Sequence, residues 1–222
     1  MRIPVAILAA TLAFGILPGR VVLAAADPPK EDGRVGDPAP ADNQTSTASA
    51  REAPQDAKKP TRAEQLDSLF ELLRTAKDEA SAQSTEAMIA ELWLKSGSDT
   101  VDLLMEWAQQ AVKDKNYPLA LDYLDRILTL KPDYVEGWNT RATVYYLRED
   151  YGRALADIEK TLKIEPRHFG ALTGLGTILR EVGDDKLALE VYRKVIALDP
   201  HLDSVQKQID ELSSKGVDGR NL

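Results

Sequence analysis

Pro132, Pro166 and Pro200 are evenly spaced along the chain, and Ala120, Ala154 and Ala188 keep the same interval. Two residue types that return three times in one register require a structural unit of that length, used three times over. Each proline closes a similar phrase: Ile127 to Pro132, Thr161 to Pro166, Val195 to Pro200. Proline lacks the N–H that a helix interior needs and its ring collides with the preceding turn, so each one marks the exit from a helix. A second column of small residues, Ala108, Ala142 and Gly176, lies twelve positions before the alanines. On two antiparallel helices joined by a short turn the columns can face each other and let the backbones approach closely. The unit is therefore a tight helix pair, and the chain is all-α.

With those residues in place the chain resembles the tetratricopeptide repeat family, whose unit is about 34 residues of helix, turn and helix. The resemblance covers residues 101–134, 135–168 and 169–202, with Trp138 and Tyr145, with Leu172, Leu175 and Gly176, and with Leu124, Ile158 and Tyr192 among the matching positions. Arg141 departs from a usual leucine, Ala111 from a usual aromatic, and Ile127, Thr161 and Val195 from a common alanine. The resemblance implies a helical solenoid of antiparallel hairpins. Leu66, Leu69, Phe70 and Leu73 predict a preceding helix over about residues 62–80. A second is predicted over about 84–95, with its apolar face on Ala87, Met88 and Leu92 and Trp93 as a further candidate. This hairpin, within residues 61–100, reads as a degenerate repeat or an N-terminal cap. Val205, Ile209 and Leu212 predict a polar-backed capping helix over residues 203–214, followed by a flexible tail at 215–222.

The N-terminus has the anatomy of a secretory signal peptide. Met1 and Arg2 precede an uncharged apolar stretch over residues 3–17, then Pro18, Gly19, Arg20 and a run of small residues ending at Ala26. Cleavage is expected after Ala26, with Ala24 and Ala25 as alternatives. The stretch falls short of the roughly 20 residues that span a bilayer, so no stable membrane insertion is expected after cleavage. Residues 27–60 carry six prolines among Asp, Ala, Ser, Thr and Gln and read as a disordered linker. The mature protein is expected in the periplasm or secreted.

Composition removes much chemistry. With 28 basic and 36 acidic residues the net charge is −8, which argues against a nucleic-acid partner. No cysteine and two histidines leave no thiolate site and little for a metal or a proton relay. Gly170, Gly174 and Gly176 follow no strand and have the wrong spacing for a phosphate loop. His168 and His201 fall at unit junctions, Asp150 and Asp184 read as helix caps, and Trp107 and Trp138 read as core. No enzymatic activity, no cofactor and no metal are expected.

What remains is binding. In the family's geometry the first helix of each unit lines a concave groove, and the resemblance places Met105, Gln109, Asn139, Thr143, Tyr146, Thr173, Thr177 and Arg180 there. Asn139, Thr143, Thr173 and Thr177 suit the backbone of an extended peptide, and Met105 and Tyr146 suit its apolar side chains. The Lys and Asn clamp with which related domains hold a chaperone's C-terminal carboxylate is missing: the corresponding places are Met105, Gln109, Thr140, Gly170 and Gly174. The expected function is an exported scaffold that binds another protein or an extended peptide in the bacterial envelope. The alternative is a self-assembly module that stacks through its repeat ends.

Overall fold

The computed structural model of the chain describes residues 59–217. The expected leader, nearly all of the linker and the last residues of the tail lie outside that span. Among the described residues there are nine α-helices and no strands: α1 (Arg62–Arg74), α2 (Glu79–Leu94), α3 (Asp99–Lys113), α4 (Tyr117–Leu130), α5 (Val135–Leu147), α6 (Tyr151–Ile164), α7 (Phe169–Glu181), α8 (Asp185–Leu198) and α9 (Asp203–Ser214). None of them is long and apolar enough to cross a membrane.

Three helix pairs, α3 with α4, α5 with α6 and α7 with α8, repeat one design. The second helix of each starts at a side-chain cap: Asn116, Asp150 and Asp184 accept from the N–H of Leu119, Arg153 and Leu187 at 3.4, 3.3 and 3.1 Å. Just before each cap the chain turns through positive φ, at Lys115 (57°), Glu149 (59°) and Gly183 (85°). Only the third turn has the residue that adopts this conformation without a steric penalty.

The small-residue columns lie where the paired helices touch. Ala120, Ala154, Ala188 and Ala108 are fully buried and Ala142 nearly so. Gly176 meets the Tyr192 ring so closely that a Cβ there would lie 2.5 Å from Cε1. Pairs then stack on pairs: a Cβ on Gly137 would lie 2.9 Å from Leu128 and 3.1 Å from Ile127 of the preceding unit. Arg141 is held by two bonds to Asp157, at 2.7 and 2.8 Å, and reaches back to Asp125 at 2.7 Å. At the far end α9 lays Val205, Ile209 and Leu212 on the cluster containing Leu189, Tyr192 and Val195. Gly216, at φ 73°, turns the chain so that Val217 packs back on the same cluster.

The N-terminal hairpin differs from the sequence expectation in two ways. α1 ends at Arg74, because Asp78 opens α2 with a capping box to Ser81. The buried face of α2 is Ala82, Thr85, Ile89 and Trp93, while Met88 is 50% exposed. A helix starting at Glu79 aims the 82, 85, 89, 93 stripe at α1, and Met88 falls outside it.

Two glycines on α7 differ in a measurable way. Gly176→Ala is expected to lower stability by roughly 1–3 kcal/mol, since the methyl collides with a buried ring. At Gly170 the nearest side-chain atom to a built Cβ is His168 Cε1 at 3.4 Å, an ordinary contact. Gly170→Ala is therefore expected to leave stability unchanged or raise it by up to about 1 kcal/mol. Chemical denaturation of both variants checks the contrast.

Candidate functional site

α5 and α7 lie side by side, and between them runs a slot lined by Asn139, Thr143 and Tyr146 on one wall and by Gly170, Gly174 and Thr177 on the other. Ala142, Ile158, Ala171 and Ile178 form its apolar floor. It opens to solvent, and its water-accessible interior is about 10 Å³, room for roughly one water. Gly170 and Gly174 keep the α7 wall low because neither projects a side chain.

The polar groups along these two helices are partly used locally. Thr143 donates its hydroxyl to Asn139 O at 3.0 Å, Thr173 to Phe169 O at 2.8 Å and Thr177 to Thr173 O at 3.0 Å, each one turn back. The Asn139 amide donates to Glu136 at 3.1 Å. What these groups still offer a ligand is mainly acceptor capacity, from the threonine oxygens and the Asn139 carbonyl oxygen, beside the second N–H of the Asn139 amide. Burial pushes the Tyr146 phenol above its ordinary pKa, with the nearby Glu181 charge adding to it, so it stays neutral and can donate or accept.

Of the residues singled out in the sequence, Asn139, Thr143, Tyr146 and Thr177 come together here. Thr173 stands one turn from Thr177 and does not line the slot. Gln109 is half-buried on α3. Met105 is 1% exposed within the core of the first unit, among Val101, Ala108, Leu124 and Ile127, and cannot meet a ligand. Arg180 is bonded to Gln208 and, at 3.1 Å, to Glu211, so α9 already engages it. Of the two tryptophans read as core, Trp107 and Trp138, neither is closed in it. Trp107 is 47% exposed, and Trp138 is half-buried, donating to Pro132 O at 2.8 Å beneath the Arg141 guanidinium.

The N-terminal hairpin packs against the repeat units themselves, which sequence reasoning does not anticipate. α1 and α2 contact α8 and α5 and cover the junctions between units, so the hairpin is not a further stacked repeat. Tyr134 donates its hydroxyl to Leu94 O at 2.5 Å, and His168, at the equivalent place in the next unit, stacks on Trp93 with ring centroids 4.1 Å apart. Arg167 pairs with Asp67 at 2.7 Å and lies over the Phe70 ring. His201 reaches Ala76 O at 3.1 Å. The His168 Nδ1 accepts from Ala171 N–H at 3.0 Å, capping α7, which directs Nε2 to Glu136 at 3.2 Å. Burial alone would raise the Glu136 pKa, but the bonds from His168 and Asn139 hold it below the ordinary value. The recurrence of a ring-bearing residue at one repeat position, Tyr134 and then His168, each opening a first helix, is the signal the sequence offers.

Among the described residues no cluster of three or more His, Cys, Asp and Glu side chains is arranged to hold a metal ion. The tetratricopeptide repeat model matches residues 105–164 and 139–203. A TPR repeat-containing protein of Rhizobium etli is 42% identical over 152 residues, covering 68% of this chain and 74% of that protein. Among solved structures, the Sgt2 TPR domain from Aspergillus fumigatus is 23% identical with a TM-score of 0.50, covering 53% of this chain and 80% of its own. The first TPR domain of Spaghetti (RPAP3), bound to an HSP90 peptide, is 17% identical with a TM-score of 0.50, covering 52% and 91%. At these identities the two structures show a common fold.

The hairpin contact carries a titratable carboxyl. Burial, together with the neighbouring Asp199 charge, pushes the Glu86 pKa from 4.5 to about 7. A carboxyl raised in this way binds a proton on folding, so its stabilising contribution is complete below about pH 4.5 and is lost as pH rises through about 7. Glu86→Gln, neutral throughout, is expected to melt above the parent at about pH 8 and level with it at about pH 4. Thermal melts followed by circular dichroism check this, and an equal shift at both pH values would show that the carboxyl does not titrate there.

Proposed function

We propose that this chain, which belongs to the tetratricopeptide repeat family, is an exported scaffold of the bacterial cell envelope that binds an extended peptide or protein segment along the α5–α7 slot. Proteins of this family mediate protein–protein interaction. The observation that carries the finer reading is the slot itself: an apolar floor, a low glycine wall and a row of hydrogen-bond acceptors. An extended backbone presents N–H donors at regular spacing, which suits those acceptors, and a small apolar side chain can sit at the slot mouth. The function is binding and not catalysis.

A chaperone tail is not the ligand proposed. The positions that would form the carboxylate clamp carry Met105, Gln109, Thr140, Gly170 and Gly174, and none supplies a cation. Export is supported by the order of Arg2, the uncharged stretch, Arg20 and the small residues up to Ala26. The absence of cysteine is compatible with an oxidising compartment, because packing replaces disulfides as the source of stability.

Photo-crosslinking in intact cells tests both parts. A crosslinker at Thr143 or Tyr146 is expected to capture one dominant partner that the same group at exposed Lys160 on α6 does not. Equal, diffuse products from both faces would remove the slot as the site. The protein recovered from the envelope fraction is expected to begin at Asp27, read by N-terminal sequencing.

A further inference from the structure

The slot differs in charge from one end to the other. Where α5 and α7 begin, the carboxylate on the α5 wall, Glu136, is spent on His168 and on the Asn139 amide. Where the two helices finish, Glu181 is the last residue of α7, one turn beyond Thr177 on the row that runs through Gly170, Gly174 and Thr177. That row brings it to the end of the slot that Tyr146 lines from α5. Glu181 is exposed and makes no ion pair or side-chain hydrogen bond among the described residues. The half-buried Tyr146 ring lies beside that of Tyr151, with centroids 5.8 Å apart. Burial raises both phenols above their ordinary pKa, the Glu181 charge raises both further, and no basic side chain opposes it at either ring. Arg180, next to Glu181 in the chain, is engaged by Gln208 and Glu211 of α9. Both helices also end here, so the partial negative charge of two C-termini falls on the same place.

We propose that the segment bound in the slot carries a basic side chain, lysine or arginine, seated at this end between the Tyr146 ring and the Glu181 carboxylate. The proposal rests on the slot being the binding site and adds the sign of charge that the site selects. An aromatic face attracts a cation, and a carboxylate supplies both the counter-charge and acceptors for its N–H groups. An acidic segment meets the reverse, because Glu181 and the two helix ends repel it and no basic side chain lines the slot to offset them. The chain's net charge of −8 draws a basic partner in the same sense during encounter. The selectivity is opposite in sign to that of a carboxylate clamp.

Selection of a random peptide library on the purified protein, as the cell processes it, tests this. Recovered peptides are expected to carry lysine or arginine at one fixed place beside a short apolar stretch, and Glu181→Lys is expected to remove that preference. For a peptide so recovered, exchange of its basic residue for glutamine and Glu181→Gln in the protein should each weaken binding about tenfold, and both together no more than either alone. Because Glu181 is exposed and unpaired among the described residues, neither of its variants is expected to move the thermal midpoint. Thr143→Trp, which covers the slot, is expected to recover none of these peptides. If Thr143→Trp recovers them equally, or if the parent recovers no peptide at all, the slot falls as the site and this proposal falls with it. Peptides that need the open slot yet show no basic preference, or that keep the preference on Glu181→Lys, would overturn the charge assignment and leave the slot standing.

Discussion

The close approach of two helix backbones inside each unit sets the rest of the structure. Ala108 and Ala120, Ala142 and Ala154, and Gly176 and Ala188 are the small residues at that contact, and their burial fixes how near the pair can come. With the spacing fixed, the large residues have fixed destinations. Tyr192 can fill the third unit only because Gly176 has no side chain. Leu128 and Ile127 reach the following unit because Gly137 leaves them room. The slot follows from the same constraint, as successive first helices must lie side by side once successive pairs have stacked.

Much of this is legible in the sequence because repetition is a global property written locally. The period survives individual departures, since caps, small columns and prolines each repeat it independently. The caps at Asp150 and Asp184 and the core stripe of α1 can be read from single residues for the same reason. What periodicity cannot show is which side of a helix finds a neighbour. Analogy of position puts Met105 on the groove, and it lies instead in the core. Trp107 has the residue type of a core position and none of the covering, because what covers it in other units is the unit before. Arg141, a departure from leucine, is matched by Asp157 where the other units have Tyr123 and Val191, a compensation invisible without contacts.

The candidate site is legible to about the same depth. Four of its residues on α5 and α7 meet because both helices follow the repeat geometry, while Arg180 is taken by α9, whose placement depends on the end of the stack. The hairpin along the edge is not legible at all. Its apolar stripes fit a stacked cap as well as an edge strap, and only the match of Trp93 with His168 and of Leu94 with Tyr134 distinguishes them.

That strap changes how the molecule folds. A plain repeat array has contacts only between neighbours, so it can form and unravel one unit at a time. Here Asp67 meets Arg167 across 100 residues and Ala76 meets His201 across 125. Such distant pairing is slow to form and makes separate units fail together. The order of synthesis adds a further condition, because the hairpin is made before any surface it rests on. Until Val135 and then His168 and Phe169 have emerged, Leu66, Phe70, Ile89 and Trp93 have only each other to cover them, and in the export we propose, that interval is when a chaperone would find the chain.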